Sequence, residues 1–375
     1  MHTLPATHIE VAAWLRLSLA PGLKPAALRL LLSAFGLPEV ILQHDHQTLA
    51  AIAGDAAARA ALAPTSPEFN AQLDAVIAWR ELPGNHLVTL DDPVYPPALL
   101  TMPDPPPLLY IKGRLDLLHS RAVALVGSRS ATPQGTEDAE RFARTLSMAG
   151  VTVVSGLAQG IDGAAHRGGL EGAGSTVAVI GTGADLVYPA AHHALARQIA
   201  LEGAILSEWP LGTPARAANF PQRNRLIAGL VSGVVMVEAA MRSGSLITAR
   251  LANESGREVM AVPGSPLDPR AQGCNLLIRE GATLVQSAAD ILEQIRPFDP
   301  RSVRSPIDAF AATPTQDASD ADRRRIADLL GPVPVAIDEL IRQSRESPAV
   351  VHTVLLELEL AGRLERHAGG RVSLA

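Results

Sequence analysis

The 375-residue chain has one cysteine, Cys274. A single thiol excludes a disulfide framework and a thiolate metal cluster, and it fits a reducing cytosol. Lysine is nearly missing. Of 32 basic residues only Lys24 and Lys112 are lysines, leaving 30 arginines, a coding bias from which no function is drawn. Positive charge is not in excess either: the formal net charge is −6, so no global basic field attracts a nucleic acid or a membrane, and any anion site must be local. Charged residues make up 19%, fewer than usual. Apolar runs such as Val234–Val237 fall far short of the ~20 residues that span a bilayer. The stretch from Met1 to Glu10 lacks the basic-then-apolar pattern of a secretory signal. Together these absences lead one to expect a cytoplasmic protein with no membrane attachment. What is present is a 47% hydrophobic composition, enough to bury a core and to exclude a disordered chain. The length suggests two or three domains.

Residues 1–82 read as a small helical bundle, SAM-like in character. Val11, Leu15, Leu17 and Leu19, then Leu28, Leu31, Leu32 and Phe35, recur at near-helical spacing broken by Pro21-Gly22 and Gly36-Leu37-Pro38. Such a module suits a non-catalytic adaptor. Prolines at 93, 96, 97, 103 and 105–107 argue against a continuous helix or a central strand. The spacing therefore predicts an extended connector over 83–107, anchored by Tyr95, Leu99, Leu100 and Leu109, within a lead-in over 83–120.

Residues 121–297 alternate strand and helix signals. Val123–Val126, Val151–Val154, Val177–Ile180, Ala204–Leu206, Val234–Val237 and Val259–Val262 are short, apolar and bounded by Gly, Ser or Pro. Strands without polar alternation are buried on both faces, as in a parallel sheet covered by helices. The helix over Pro133–Ala149 has Thr132 to cap it and Pro133 at its first position. The fold class is α/β, a doubly wound, Rossmann-like core over 83–297. Residues 298–320 read as a linker. Over 321–375, helix signals at Asp322–Leu330, Ala336–Gln343 and Ala349–Ala361 precede a hairpin turning at Gly369-Gly370, a winged-helix pattern. Its third helix, which in such domains enters the major groove, contains no arginine or lysine and carries Glu357 and Glu359, so a core-packed or protein-contacting module is favoured.

Enzyme signatures are absent from the sequence: no phosphate-binding P-loop, no H-E-x-x-H zinc motif, no G-x-S-x-G elbow. His166, His192 and His193 lack partners at metal-ligand spacing, so no metal and no cofactor is expected. Asp162 and His166, at i and i+4, form either an acid–base pair or a structural hydrogen-bonding pair, and the lack of a nucleophile favours the second. What remains is a set of small-residue loops at the carboxyl ends of the strands: Gly127-Ser128-Arg129, Ser155 to Gly160, Gly181-Thr182-Gly183 and Ser243-Gly244-Ser245. Glycine and serine there let backbone N–H groups approach an anion, at the edge where doubly wound sheets hold ligands.

From Trp209 to Val237 there is no acidic residue, yet the stretch carries Arg216, Arg223 and Arg225 within Asn219-Phe220-Pro221-Gln222-Arg223-Asn224-Arg225. Two arginines flanked by amides and an aromatic suit a sugar-phosphate backbone with a base on Phe220. Arg223 and Arg225 are expected at the ligand because both lie on a buried face only if carboxylates pair with them. A mononucleotide pocket would be served equally well by these loops, with Glu238 and Asp162 the carboxylates placed for chemistry.

The runs Tyr95 to Gly113, Val126 to Arg129, Ser155 to Asp162, Asn219 to Arg225, Ser243 to Ala249 and Gly273 to Ile278 resemble, in order and over nearly the whole chain, the bacterial DNA-processing protein DprA (Smf) family. The resemblance implies a non-catalytic core that binds single-stranded DNA, protects incoming strands in natural transformation, loads the RecA recombinase, displaces single-strand-binding protein and dimerises. It places DNA contacts at Gly127, Ser128, Arg129, Phe220, Gln222, Arg223, Asn224, Arg225, Ser243, Gly244 and Ser245, with a further surface near Leu276–Ile278, and the small-residue loop after the second strand adds Ser155 and Gly156. No lysine lies between 121 and 297, so arginine has to supply the positive charge. The enzymatic alternative is a phosphoribohydrolase-like nucleotide-processing hydrolase on a related scaffold, whose Pro-Gly-Gly-x-Gly-Thr loop is replaced here by Arg242-Ser243-Gly244-Ser245-Leu246.

Overall fold

The computed structural model describes residues 7–295 without a break, and then 320–331, 335–344, 351, 354, 355, 358, 364–367 and 371–374. The chain forms two units, divided between Ala309 and Phe310. The first opens with six helices, α1 (His8–Leu19), α2 (Pro25–Phe35), α3 (Pro38–Ile41), α4 (His46–Ala53), α5 (Asp55–Leu62) and α6 (Phe69–Arg80). A capping box starts α1, with the Glu10 N–H donating to Thr7 Oγ1 at 3.2 Å and the Thr7 N–H to the Glu10 carboxylate. Pro25 occupies the first position of α2, where its missing N–H has no helical partner to lose. Val11, Leu15, Leu17, Leu28, Leu31 and Leu32 turn inward, as their spacing requires.

The connector expected over 83–107 holds only in its middle. Asn85–Thr89 is a strand, β1, paired antiparallel with β2 (Leu108–Gly113). All the prolines from 93 to 107 fall between the two strands, so every β1 residue keeps the N–H that a ladder needs. Between them lies one helical turn, α7 (Pro97–Leu100), again with proline first. Tyr95, Leu99 and Leu109 are buried there, and the Tyr95 hydroxyl donates to Pro106 O at 2.8 Å.

The six strands read from the sequence are present as β3 (Ala122–Gly127), β4 (Thr152–Ser155), β5 (Thr176–Val179), β6 (Ala204–Ser207), β7 (Gly233–Glu238) and β8 (Glu258–Ala261), joined by a short β9 (Thr283–Leu284). The helices between and after them are α8 (Pro133–Met148), α9 (Ile161–Gly169), α10 (His193–Glu202), α11 (Asn219–Leu230), α12 (Ser245–Glu254), α13 (Gln272–Arg279) and α14 (Ala288–Gln294). The sheet order is β1-β2-β6-β5-β4-β3-β7-β8-β9. Pairing is parallel from β6 to β9 and antiparallel where β2 meets β1 and β6. Helices on the faces exclude water, so β4, β5, β6 and β7 are buried at every position. Against one face α8 packs Phe142, Ala143 and Leu146, each large apolar side chain contributing roughly 1.5–3 kcal/mol by burial. From β3 the chain runs outward through β4, β5 and β6, then returns to lay β7 on the other side of β3. That reversal is a topological switch point, with a crevice beyond the carboxyl ends of β3 and β7.

In the second unit, helices Asp320–Leu329 and Ile337–Ser344 accompany a small sheet in which Leu364–His367 pairs antiparallel with Arg371–Leu374, and Val335–Ala336 joins the latter. This is a winged helix. Of the helix expected over 349–361, Val351, Val354 and Leu355 are helical and buried with Ile326, Leu330 and Leu340, and most of the rest lies outside the described residues. The linker expected over 298–320, save Asp320, and the turn at Gly369-Gly370 also lie outside them.

Candidate nucleic-acid interface

At the switch point the loop after β3 is fixed from two sides. The Ser128 N–H donates to Glu238 O at 2.7 Å, and Ser128 O accepts from the Ile161 N–H at 3.1 Å. Glu238 is buried at the end of β7, and its carboxylate accepts from the Thr132 N–H and from Thr132 Oγ1 at 2.6 Å. Thr132 in turn caps α8, its Oγ1 accepting from the Gly135 N–H at 2.9 Å. An acid thus holds the first turn of a helix in place, which the helix dipole favours. Arg129 projects from this fixed loop and is exposed. Because β7 is hydrogen-bonded to β3, the Ser243-Gly244-Ser245 loop lies beside it. There the two serine hydroxyls are 2.6 Å apart and α12 begins.

The loop after β4 differs from its expected use. Its N–H groups meet protein acceptors, not open space: Gly156 and Ala158 donate to Asp162 Oδ2 at 3.2 and 3.3 Å, and Leu157 to His166 Nε2 at 3.2 Å. Ser155 is fully buried and donates to Leu125 O at 2.7 Å. The Leu157 carbonyl accepts from His192 Nδ1 at 3.0 Å. With both backbone groups held, Leu157 keeps a left-handed φ of 58°, strained for a residue with a side chain. Gly160 takes φ +73°, and a Cβ there would stand 2.2 Å from Ser128 O. Asp162 and His166 are therefore a structural pair. The Thr176 hydroxyl donates to Val153 O, so the remaining His166 proton sits on Nδ1, facing Thr176 Oγ1 at 2.8 Å. Burial, aided by the charge of Arg223, holds the imidazole down to about 3, and it stays neutral. Burial raises the Asp162 carboxyl, and Arg223 opposes the rise.

The pair Arg223 and Arg225 also departs from expectation, since both have protein partners. Arg223 is 3% exposed, and its Nη1 donates to Gly156 O at 2.7 Å and to Val179 O. A Cβ on Gly156 would meet that guanidinium at 2.6 Å, which is why the loop carries glycine there. Burial lowers Arg223 to about 10, with Asp162 opposing the shift. Arg225, whose side chain is 15% exposed, pairs with Glu208 and reaches Asp104, donating to its carbonyl at 2.8 Å. These are the carboxylates that the acid-free stretch lacks. Glu208 is itself pushed up to about 7 by burial, against the pull of Arg225. Gln222 and Arg225 face a cavity of about 380 Å³ walled by α1, Pro105–Pro107 and Trp209. Ser155, Gly156 and Arg223 are thus buried against protein partners, and Arg225 is held by Glu208 at the wall of that cavity.

What the structure does bring together is Arg129, Phe220 and a residue the sequence reading missed, Tyr188. The Arg129 guanidinium lies 5.6 Å from the Phe220 ring centroid, and the Tyr188 ring lies 5.6 Å from Phe220 at 38°. Buried Asn219 fixes this start of α11 by donating to Gly181 O at 2.9 Å. A cation beside an aromatic pair, at the carboxyl edge of a parallel sheet, suits a ligand with both phosphates and flat rings. Tyr188 sits in a loop with no periodicity, so no sequence pattern marks it.

The chain matches the family model for DNA recombination-mediator protein A over residues 86–296 and that for the DprA winged helix domain over 310–370. It is similar to Protein Smf of Escherichia coli, 41% identical over 303 residues that cover 80% of this chain and 81% of that protein. The X-ray structure of DNA processing protein A from Streptococcus pneumoniae superposes with a TM-score of 0.67 at 38% identity, covering 78% of this chain and 99% of that one. A structure describing the single-stranded DNA binding mode of DNA processing protein A from Helicobacter pylori gives 0.50 at 30% identity, over 54% of this chain and 94% of that one. Fold, order of motifs and these likenesses agree: the chain belongs to the DNA recombination-mediator protein A family, that of the Smf and DprA proteins.

Proposed function

We propose that this chain is a non-catalytic single-stranded-DNA-binding protein that protects incoming strands in natural transformation, loads the RecA recombinase onto them in place of single-strand-binding protein, and acts as a homodimer through its core. The observation that carries the reading is the exposed Arg129 guanidinium beside the Phe220 ring on a rigid loop at the switch point. The Helicobacter pylori relative, described by its single-stranded DNA binding mode, supports the choice of ligand. In this reading Gly127, Ser128, Arg129, Phe220, Gln222, Asn224, Ser243, Gly244 and Ser245 meet the strand. Ser155, Gly156, Arg223 and Arg225 hold the frame those contacts stand on. A dimer offers two such sites to one strand, which raises avidity through effective concentration.

The test is a titration of the protein and of Arg129→Ala against single- and double-stranded oligonucleotides at several salt concentrations. Each phosphate contact to a single strand contributes about −0.7 to the slope of log affinity against log salt, so the variant's slope should be shallower by about that amount. Preference for single strands, weakened in the variant at an unchanged melting temperature, is expected. Equal binding of both strands, or an unaltered slope, would sink the assignment. RecA loading is read separately, as strand exchange on DNA already coated with single-strand-binding protein.

A further inference from the structure

We propose that Tyr188 is a base-stacking platform of the site, with Phe220 as the ring that backs it. The inference rests on the single-stranded DNA reading and deepens it. Phe220 is partly covered, with Arg129 against it and Tyr188 beside it. Tyr188, by contrast, is 51% exposed, whereas Tyr95 and Tyr110 are buried in the core. Its hydroxyl has no partner among the described residues, and its contact within the fold is made by the ring, against Phe220.

The exposure is not that of a loose loop. Leu186, on one side, donates its N–H to Gly183 O at 3.0 Å, and its carbonyl accepts from Thr182 Oγ1 at 3.1 Å. Pro189, on the other, gives its carbonyl to the His192 N–H at 2.9 Å. Asp185 ties the same loop to the Gly212 N–H at 2.9 Å. A ring presented to solvent on a pinned backbone loses little freedom when a flat partner covers it, which is the condition for tight stacking. Arg129 and Tyr188 each lie 5.6 Å from the Phe220 ring centroid, on loops that leave β3 and β5. A phosphate at Arg129 and a base on Tyr188 would therefore belong to the same short stretch of strand. Such contact requires a base but tolerates any base, since each has a flat face.

The experiment uses the full chain with Tyr188→Ala and Tyr188→Phe, titrated against an oligothymidylate and against an abasic strand of equal length. Tyr188→Ala should lose roughly ten- to a hundred-fold in affinity for the oligothymidylate and little for the abasic strand. Tyr188→Phe should bind as the parent does, because the ring and not the hydroxyl makes the contact. Tyr188→Trp should keep binding, with its emission quenched on addition of the oligothymidylate. An equal loss on both strands points to a merely structural role and overturns the proposal, as does unchanged affinity of Tyr188→Ala. A parent protein that binds neither strand removes the single-stranded DNA reading, and this inference with it. A parent that binds both with equal strength overturns the inference alone.

Discussion

Replacing Arg223 by alanine separates two uses of an arginine that look the same in a sequence. In the structure its Nη1 donates to two buried carbonyls, Gly156 O and Val179 O, and its charge faces the buried Asp162 carboxyl. A hydrogen bond from a charged donor contributes about 1.5–3 kcal/mol, and removing one partner of a buried pair costs about 3–5 kcal/mol. These overlap, so the variant should lose roughly 3–5 kcal/mol. For a unit of this size that is a fall in melting temperature on the order of 10 °C. Thermal melts followed by circular dichroism measure it directly. The companion variant Asp162→Asn removes the other half of the contact, and the double variant should be less destabilised than the sum by about 1–3 kcal/mol. If Arg223→Ala melts with the parent while its affinity for single strands collapses, the residue is a ligand contact and the structural argument fails.

Two further outcomes follow from the same frame. Glu208 ionises near 7 in the folded chain against an ordinary value of 4.5, so its contribution is full below about pH 4.5 and is lost as pH rises through 7. The stability difference between the parent and Glu208→Gln should therefore shift against the parent by on the order of 3 kcal/mol between pH 4.5 and 8, and a flat difference would refute the raised value. Gly160→Ala would place a Cβ 2.2 Å from Ser128 O at φ +73°, so it should destabilise by at least about 1–3 kcal/mol and displace the loop that carries Arg129. An alanine variant with parental melting and parental DNA affinity would show that the backbone there yields freely.

Much of the core was legible in the sequence because a parallel sheet leaves a plain signature. Runs such as Val123–Val126 and Val234–Val237 have no polar alternation, and both proved buried on two faces. β1 and β2 were hidden by neighbouring prolines, which lie in the connection and not in the strands. The glycine loops lie at the carboxyl edge of the sheet, as read, but their composition does not say where their N–H groups point. Asp162 and His166 take up those of the β4 loop. The partners of Arg225 escaped for a related reason: Glu208 is the residue just before the acid-free stretch, and Asp104 lies 121 residues away. Pairing across such separations is set by the crossovers, which a local reading does not see. Tyr188 was missed because a lone aromatic in an irregular loop carries no periodicity.

The antiparallel addition of β1 and β2 sets a limit on how far the protein can be trimmed. β2 covers the β6 side of the parallel sheet, pairing Tyr110 to Ser207 and Gly113 to Ala204, and the Trp79 ring leans on Tyr110 at 5.8 Å. A fragment begun at Arg121 would retain every glycine loop yet bare the backbone of β6, an unprotected strand edge ready to pair with another chain. The smallest fragment that stays dispersed therefore starts upstream of Asn85, and proteolysis of the intact chain should spare the bond between β2 and β3.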